Sequence, residues 1–240
     1  MNQGKVVIVC GIIGGGKSTL SRELAEALGT GTLYLAEPDE KGGRNPYLAD
    51  YYADPKRWAL TMQVALLSTR YAQHLQAQWH AMNTGHHAVL DSSYWQDTCF
   101  ARLQLALGLM EQREFRTYAT LYHAMTASVL LPTVCLRTLI SPETAIRRIE
   151  SRMEKETGRK CEAAISLDYL RGLDREISHM VSILRGLGVM VLDMPWDEDR
   201  DSVDTRRAAV EGLAARILSH QPPDLFLDMH RRAITASATP

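Results

Sequence analysis

The sequence predicts a single doubly wound α/β domain, with a five-stranded parallel sheet covered by helices on both faces. Short apolar runs alternate along the chain with segments of helical periodicity, and continuous apolar runs are typical of parallel strands buried on both faces. Strands that are separated by helices run parallel and connect through right-handed crossovers. The length of 240 residues suits one such domain with a sizeable core and is short for two.

The predicted elements follow one another in a regular order. Strands are predicted at residues 5–10, 32–35, 86–90, 133–136 and 189–192. Helices are predicted at residues 17–28, from Pro55, at 97–107 and 111–130, from Pro142, after Ser166 and at 203–218. Serine is a good N-cap, and proline suits the first helical position. The domain accordingly covers residues 1–220, and residues 221–240 are predicted to form a C-terminal tail.

The composition is that of an ordinary globular protein, with 45% hydrophobic and 23% charged residues. A net charge of -1 gives no basic field, so we expect neither polymeric nucleic acid nor an anionic membrane as a partner. No stretch approaches the roughly 18 uninterrupted apolar residues of a membrane span. Residues 1–4 lead directly into the first strand without the pattern of a signal peptide. We therefore expect a cytoplasmic protein.

The four cysteines lie far apart and form no C-x-x-C pair; they are Cys10, Cys99, Cys135 and Cys161. In a cytoplasmic protein this arrangement favours buried thiols over metal ligands or disulfides.

A glycine-rich motif lies between the first strand and the first helix. Gly11-Ile12-Ile13-Gly14-Gly15-Gly16-Lys17-Ser18 fits the pattern G-x-x-x-x-G-K-[ST], and a strand and a helix flank it as the motif requires. The glycines let successive backbone N–H groups turn inward toward a β-phosphate, and the helix N-terminus adds its dipole. The segment from Gly11 to Thr19 is therefore predicted to bind ATP or a related nucleotide, in a domain of the P-loop kinase type.

Two side chains of the motif have separate tasks. The Lys17 ammonium is expected to neutralise β- and γ-phosphate oxygens from an exposed position at the loop. The Ser18 hydroxyl is expected to coordinate Mg²⁺. Because such a loop also occurs in nucleotide-driven switches and motors, the motif alone does not separate these from a kinase.

Two carboxylates are predicted at the carboxyl edge of the sheet, where ligands bind in open α/β sheets. Glu37 follows the second strand and can serve as the base that an acceptor hydroxyl needs. The alternative for Glu37 is a solvated loop residue. Asp91 ends the third strand and can hold Mg²⁺ directly or through water. The alternative for Asp91 is a helix cap, since two serines follow it.

An arginine-rich segment lies between the fourth and fifth strands. A flap that carries arginines can close over a γ-phosphate and stabilise transition-state charge. We predict such a lid at about residues 152–162, with Arg152 and Arg159 in this role. For Arg147 and Arg148 the alternating glutamates favour a solvated helix face.

Several of these landmarks, in this order, resemble the deoxynucleoside kinase family, especially its bacterial and phage-like deoxyadenosine/deoxyguanosine kinase branch. The resemblance runs from the glycine-rich loop to about Asp193. It rests on Glu37-Pro38, Asn45-Pro46-Tyr47-Leu48, Tyr52-Ala53-Asp54-Pro55-Lys56-Arg57-Trp58-Ala59, Gln63, Asp91-Ser92-Ser93, Leu131-Pro132, Ser141-Pro142-Glu143, Arg148-Ile149, Arg152, Glu162 and Ser166-Leu167-Asp168-Tyr169-Leu170. The Tyr-x-Asp-Pro-x-Arg-Trp stretch is the most specific of these.

The resemblance implies a role for each matching site residue. Glu37 would be the base on the sugar 5′-hydroxyl, Tyr52 and Glu162 would hold the 3′-hydroxyl, and Gln63 would face the nucleobase. Asp91 would contribute to the same substrate site. The resemblance also implies ATP as the phosphoryl donor, a purine lean, feedback inhibition by a deoxynucleoside triphosphate, and a homodimer built on long helices.

The chain departs from the family pattern after the third strand. The family usually carries an arginine there, near the 5′-oxygen and phosphates, and this chain has Ser92. A thymidylate-type monophosphate kinase is the nearest alternative, but it needs arginines for an acceptor phosphate where this chain has Ala36 and Ser92. A nucleotide-binding switch that transfers no phosphate is the alternative from another class; its N-K-x-D motif does not occur.

Overall fold

A computed structural model of the chain describes residues 4–38, 45–155, 162–197 and 203–221. The strands are β1 Val6–Cys10, β2 Leu33–Leu35, β3 Ala88–Asp91, β4 Val134–Leu139 and β5 Met190–Pro195. The helices are α1 Lys17–Ala27, α2 Leu48–Ala53, α3 Pro55–Thr84, α4 Tyr94–Ala106, α5 Gln112–Thr126, α6 Pro142–Lys155, α7 Leu167–Gly186 and α8 Val203–Ser219.

The five strands form one parallel sheet in the order β2-β3-β1-β4-β5. Side chains of β1 alternate between two apolar cores because successive residues of a strand point to opposite faces. Ile8 and Cys10 belong to the core beneath α3, α4 and α7, whereas Val7 and Val9 belong to the core beneath α1 and α8. The predicted fold class, with helices on both faces of a parallel sheet, is confirmed.

Local capping explains where the long helices begin. Asp54 accepts a hydrogen bond from the Arg57 backbone N–H (3.3 Å), and Pro55 occupies the first turn of α3. Gly85 ends this 30-residue helix in the left-handed conformation (φ 72°). Such a glycine C-cap satisfies the last carbonyls without a Cβ clash.

Several predicted boundaries were wrong, and α2 was not predicted. The helix predicted at 97–107 begins at Tyr94, because the Ser93 hydroxyl caps its first turn. The helix predicted at 111–130 ends at Thr126. β4 and β5 extend beyond the predicted strands because they pair with each other up to Leu139 and Pro195.

The buried-thiol prediction is confirmed for three cysteines. Cys10, Cys99 and Cys135 are free and buried, and the Sγ atoms of Cys10 and Cys135 lie 3.5 Å apart on neighbouring strands. Cys161 lies outside the described residues, as does the predicted tail beyond residue 221. Within the described ranges, no helix combines the length and the apolar character that crossing a membrane requires.

Candidate active site

A cavity of about 570 Å³ opens at the carboxyl ends of β1, β2 and β3. Parallel strands place the residues that follow them at this edge, which is where open α/β sheets bind ligands. The cavity is lined by most of the predicted site residues: Ile13, Gly14, Gly15, Gly16, Lys17, Ser18, Thr19, Glu37, Tyr52, Gln63, Asp91, Arg152 and Glu162. Gly11 and Ile12 are buried at the entry of the loop. Arg159 lies outside the described residues.

The loop before α1 requires glycine at its sharpest turns. Gly14 (φ 76°) and Gly16 (φ 74°) have left-handed backbones, and Gly16 is the N-cap residue of α1. A Cβ on Gly16 would lie 2.5 Å from Nε1 of Trp196, and a Cβ on Gly14 would lie 2.7 Å from the Ala145 carbonyl oxygen. The loop is therefore packed against the segments around it, and its N–H groups are fixed before a ligand arrives.

Lys17 is buried, contrary to the prediction of an exposed side chain. It is 7% exposed, and its ammonium donates to the Ile12 carbonyl of the same loop (3.1 Å). The reason is that the glycine-rich loop turns the Ile12 carbonyl toward the first turn of α1, where the Lys17 ammonium donates a hydrogen bond to it. Lys17 nevertheless lines the cavity, so a phosphate there would compete with this carbonyl.

Ser18 and Asp91 contact each other in the cavity. The Asp91 carboxylate is 2% exposed and hydrogen-bonds the Ser18 side chain, and its Oδ1 has no hydrogen-bond partner within the described chain. Burial and then the negative charge of Glu37 raise the pKa of Asp91 to about 6. A hydroxyl and a carboxylate with an unused oxygen fit Mg²⁺, which takes oxygen ligands and usually keeps several waters.

Glu37 is oriented by a buried arginine that the sequence analysis did not select. Nη2 of Arg70 lies 3.2 Å from Oε1 of Glu37, and Nη1 of Arg70 lies 2.5 Å from Oδ1 of Asp97. Burial opposes the charge of Arg70, but the carboxylates of Asp97 and Glu37 outweigh it and raise the arginine pKa. Arg70 thus stays charged and holds Glu37 toward the cavity. The available signal was helical spacing, since Gln63 and Arg70 are seven residues apart on one face of α3.

Gln63 lines the cavity, and its amide, which was expected to face a nucleobase, hydrogen-bonds Asp97 and Gln104. Its Nε2 donates to the backbone carbonyl (3.1 Å) and to Oδ2 (2.9 Å) of Asp97, and Gln104 donates to its Oε1 (3.4 Å). The Tyr118 hydroxyl also donates to Asp97 (2.5 Å). Asp97 therefore fixes the pocket wall between α3 and α5, although nothing in its local sequence pattern marked it.

Arg152 and Glu162 form an ion pair. The guanidinium donates to a Glu162 carboxylate oxygen at 2.5 Å, and Glu162 is 3% exposed. From the sequence, Arg152 was expected at the phosphate and Glu162 at the sugar. Arg148 also lines the cavity, and its Nη2 donates to the Trp196 carbonyl (2.9 Å). The expectation that Arg148 lies on a solvated face was therefore wrong.

Two further features distinguish this cavity. Arg22, one turn after Ser18 on α1, lines it and hydrogen-bonds the Tyr34 hydroxyl. Ser92, which stands where an arginine was expected, is 2% exposed and has a left-handed backbone (φ 72°). The Ser92 side chain thus brings no charge to the cavity, and Arg22 brings one from another element.

Comparison with known proteins agrees with this geometry. The family model described as deoxynucleoside kinase matches residues 7–213. A deoxyadenosine kinase of Dictyostelium discoideum is 30% identical over 190 residues, which is 76% of this chain and 72% of the relative. A deoxyadenosine/deoxycytidine kinase of Bacillus subtilis is 30% identical over 215 residues, covering 89% and 92% of the two chains.

The fold has solved relatives as well. A deoxyadenosine kinase from M. mycoides, solved with bound dCTP, superposes with a TM-score of 0.70 at 23% identity and covers 88% of this chain and 99% of its own. This likeness concerns the fold. The family model spans most of the chain, and the glycine-rich loop and the two strand-end carboxylates line one cavity at the carboxyl edge of the sheet. The chain belongs to the deoxynucleoside kinase family.

Proposed function

We propose that the protein transfers the γ-phosphoryl group of ATP to the 5′-hydroxyl of a deoxynucleoside, with a preference for purine bases. One observation carries the proposal: the Glu37 carboxylate, held by Arg70, lines the same cavity as Lys17 and Ser18 of the phosphate-binding loop. A base and a phosphate site that share one cavity bring an acceptor hydroxyl and a nucleoside triphosphate together.

In the proposed reaction, Glu37 accepts the proton of the 5′-hydroxyl while the oxygen forms a bond to the γ-phosphorus. The bond from the γ-phosphorus to the β–γ bridging oxygen breaks, and its electron pair leaves with ADP. Lys17 exchanges its Ile12 carbonyl for phosphate oxygens and stabilises their charge. Bound Mg²⁺, for which Ser18 and Asp91 provide ligands, would neutralise charge on the β- and γ-phosphate oxygens.

The acceptor occupies the other half of the cavity. Tyr52 and Glu162 hold the sugar 3′-hydroxyl, and the fact that both line the cavity supports this role. Gln63 also lines the cavity and would face the nucleobase by exchanging bonds that its amide makes with Asp97 and Gln104. The names of the relatives support the purine preference, since they include a deoxyadenosine kinase and a deoxyguanosine kinase.

A monophosphate acceptor is the second candidate. Such an acceptor needs a cation for its phosphate, and neither Ala36 nor Ser92 provides one. Arg22 is the observation that favours this candidate, because its guanidinium lines the cavity near Glu37 and Asp91. We rank it second because Arg22 already bonds the Tyr34 hydroxyl.

ADP release separates these functions. ATP and Mg²⁺ are mixed with each deoxynucleoside, with each deoxynucleoside monophosphate, or with no acceptor. We expect ADP release that depends on a deoxynucleoside and is fastest with a purine. ADP release that occurs only with a deoxynucleoside monophosphate as acceptor would establish the second candidate. ATP binding without any ADP release would establish a nucleotide-binding switch. Turnover should stop with EDTA and return with excess Mg²⁺.

We further infer that the protein is a cytoplasmic homodimer that does not bind polymeric nucleic acid. The net charge of -1 supports the last point. Trp79 (63% exposed) and Met82 (62% exposed) lie three residues apart on α3. Such exposed apolar side chains support a homodimer in which a second copy of the chain covers them. Sedimentation velocity is expected to give about twice the mass of one chain. Trp79→Glu is expected to weaken the dimer and to lower the measured mass toward that of one chain.

A further inference from the structure

The nucleotide-binding loop begins just beyond the end of the β1–β3 ladder, where the backbone groups of Gly11 have no residue of β3 to bond. β1 pairs with β3 up to Val9 and Asp91, and the Ser92 N–H donates to the Val9 carbonyl (3.2 Å). In a parallel ladder every second residue of a strand faces the same neighbour, so Gly11 is the next residue that should bond this side. The left-handed backbone of Ser92 turns the chain away before that bond can form.

The side chain of Gln96 makes the hydrogen bonds to Gly11 that a longer β3 would have made. Its Oε1 accepts from the Gly11 N–H (3.3 Å), and its Nε2 donates to the Gly11 carbonyl (3.0 Å). One side-chain amide thus provides the acceptor and the donor that two backbone groups of β3 would have provided. Gln96 is fully buried, so water cannot replace it at these two groups.

The other side of Gly11 is closed by β4. The Thr138 hydroxyl donates to the Cys10 carbonyl (3.3 Å), and a Cβ on Gly11 would lie 2.0 Å from this hydroxyl oxygen. The first peptide group of the loop is therefore held between a side chain of α4 and a side chain of β4. Its position fixes where the following N–H groups point.

We propose that Gln96 is a positioning residue of the nucleotide-binding loop. It acts through Gly11 and sets the loop geometry in which the donor phosphates bind. The next residue, Asp97, holds Gln63 and Arg70 on the acceptor side. The first turn of α4 therefore fixes the donor loop and the acceptor wall relative to each other. Since a misplacement of about 1 Å can cost about 10²-fold in rate, such a common support is catalytically useful.

The inference rests on the proposed function only in taking ATP as the ligand of the loop. Gln96→Leu leaves an apolar side chain slightly smaller than glutamine and removes both bonds to Gly11. Gln96→Glu keeps an oxygen that can accept from the Gly11 N–H. Gln104→Leu is the matched control, because Gln104 is an equally buried glutamine of α4 that bonds Gln63 instead of the loop.

The readouts are the Kd of ATP by calorimetry and the KM values of ATP and of the acceptor. We expect Gln96→Leu to raise the Kd and KM of ATP by about tenfold or more, with the acceptor KM within about twofold. Gln96→Glu should lie between this variant and wild type, and Gln104→Leu should keep the wild-type Kd of ATP.

An unchanged Kd of ATP in Gln96→Leu, or the same rise in Gln104→Leu, overturns the proposal. If Gln96→Leu does not fold, Gln96→Glu decides by the same criterion. A wild-type protein that binds ATP but phosphorylates no deoxynucleoside would refute the proposed function, and the binding comparison would still decide the role of Gln96.

Discussion

At the scale of single residues, the candidate base is made effective by a partner in another element. Arg70 comes from the middle of α3 and is 3% exposed, yet its guanidinium reaches both Glu37 and Asp97. A buried cation is stable only when it is paired, and here two carboxylates share one arginine. The arrangement leaves Glu37 partly exposed and on the wall of the cavity, where a general base can reach an acceptor hydroxyl.

Replacement of Glu37 by glutamine tests that role. The change keeps the shape and removes the proton acceptor, so we expect kcat to fall by about 10²–10⁴-fold, the usual contribution of base catalysis. The acceptor KM should change less, because glutamine can still hydrogen-bond the hydroxyl. Steady-state kinetics with the preferred deoxynucleoside provide both values. An unchanged kcat with a raised KM would make Glu37 a binding residue and direct attention to Asp91.

Lys17→Ala tests the phosphate-binding loop. We expect turnover to be abolished, because no other group would neutralise the β- and γ-phosphate oxygens from within the loop. Since Lys17 is 7% exposed and bonds only a loop carbonyl among the contacts described, the variant should still fold. Circular dichroism checks the fold, and ADP release checks the activity. Turnover like that of wild type would remove the basis of the proposed function.

The location of site residues was predictable where a local motif encodes it. The loop from Gly11 to Ser18 is contiguous, and Glu37 and Asp91 each lie at the end of a recognisable strand, so the sequence predicted that all three lie at the same edge of the sheet. The roles of Gln96 and Asp97 depend on partners far away along the chain. Gln96 and Gly11 are separated by 85 residues, and Asp97 and Gln63 by 34. Periodicity cannot reveal such pairs, because only the folded sheet and helices bring them together.

At the scale of elements, caps and pairings decided what the sequence could predict. The predicted start of α3 at Pro55 is correct, since Asp54 and Pro55 encode it locally. The ends of β4 and β5 are set by their mutual pairing, which no local pattern records. α6 carries Arg148 and Arg152, of which only Arg152 belongs to the predicted lid; the Arg148 guanidinium donates to the Trp196 carbonyl, and Arg152 forms an ion pair with Glu162.

The predicted lid can be tested at Arg159. Ser92 brings no cation to the strand end, so transition-state charge on the transferred phosphoryl group must be stabilised from elsewhere. We expect Arg159→Ala to lower kcat by about 10²-fold or more, the scale of losing one preorganised donor, with little effect on the Kd of ATP. Stopped-flow or steady-state kinetics measure the first quantity and calorimetry the second.

An arginine of α6 provides the control. Arg147→Ala removes an arginine of α6 that donates to the Thr144 hydroxyl (2.9 Å) and should leave kcat near the wild-type value. Near-normal kcat in Arg159→Ala, combined with a loss in Arg152→Ala, would transfer the role to Arg152. Normal rates in both variants would mean that the lid does not supply the charge.

At the scale of the whole molecule, a buried histidine links global stability to pH. His74 lies in the middle of α3 and is fully buried; its Nε2 lies 2.9 Å from the Leu130 carbonyl, to which the neutral ring donates. Its Nδ1 has no hydrogen-bond partner within the described residues, so a second proton there would be buried without an acceptor. Burial lowers the pKa of His74 from 6.5 to about 4.

The sign of the effect follows from proton binding. Between pH 6.5 and about 4, the unfolded chain binds a proton at His74 that the native protein excludes. The free energy of unfolding is therefore fully retained above this window and falls as the pH drops through it. Between pH 7 and pH 5 we expect this residue alone to remove about 2 kcal/mol.

Urea denaturation at the two pH values measures this loss directly. His74→Gln can still donate to the Leu130 carbonyl but cannot take up a proton, so its loss between pH 7 and pH 5 should be smaller by about 2 kcal/mol. His80→Gln is the control: it removes a partly exposed histidine of the same helix and should retain the wild-type acid sensitivity. If all three proteins lose the same free energy between pH 7 and pH 5, His74 is not the group that destabilises the fold in acid. The sensitivity must then arise from other titrating groups, among which His87, whose pKa is also lowered by burial, would be the first to examine.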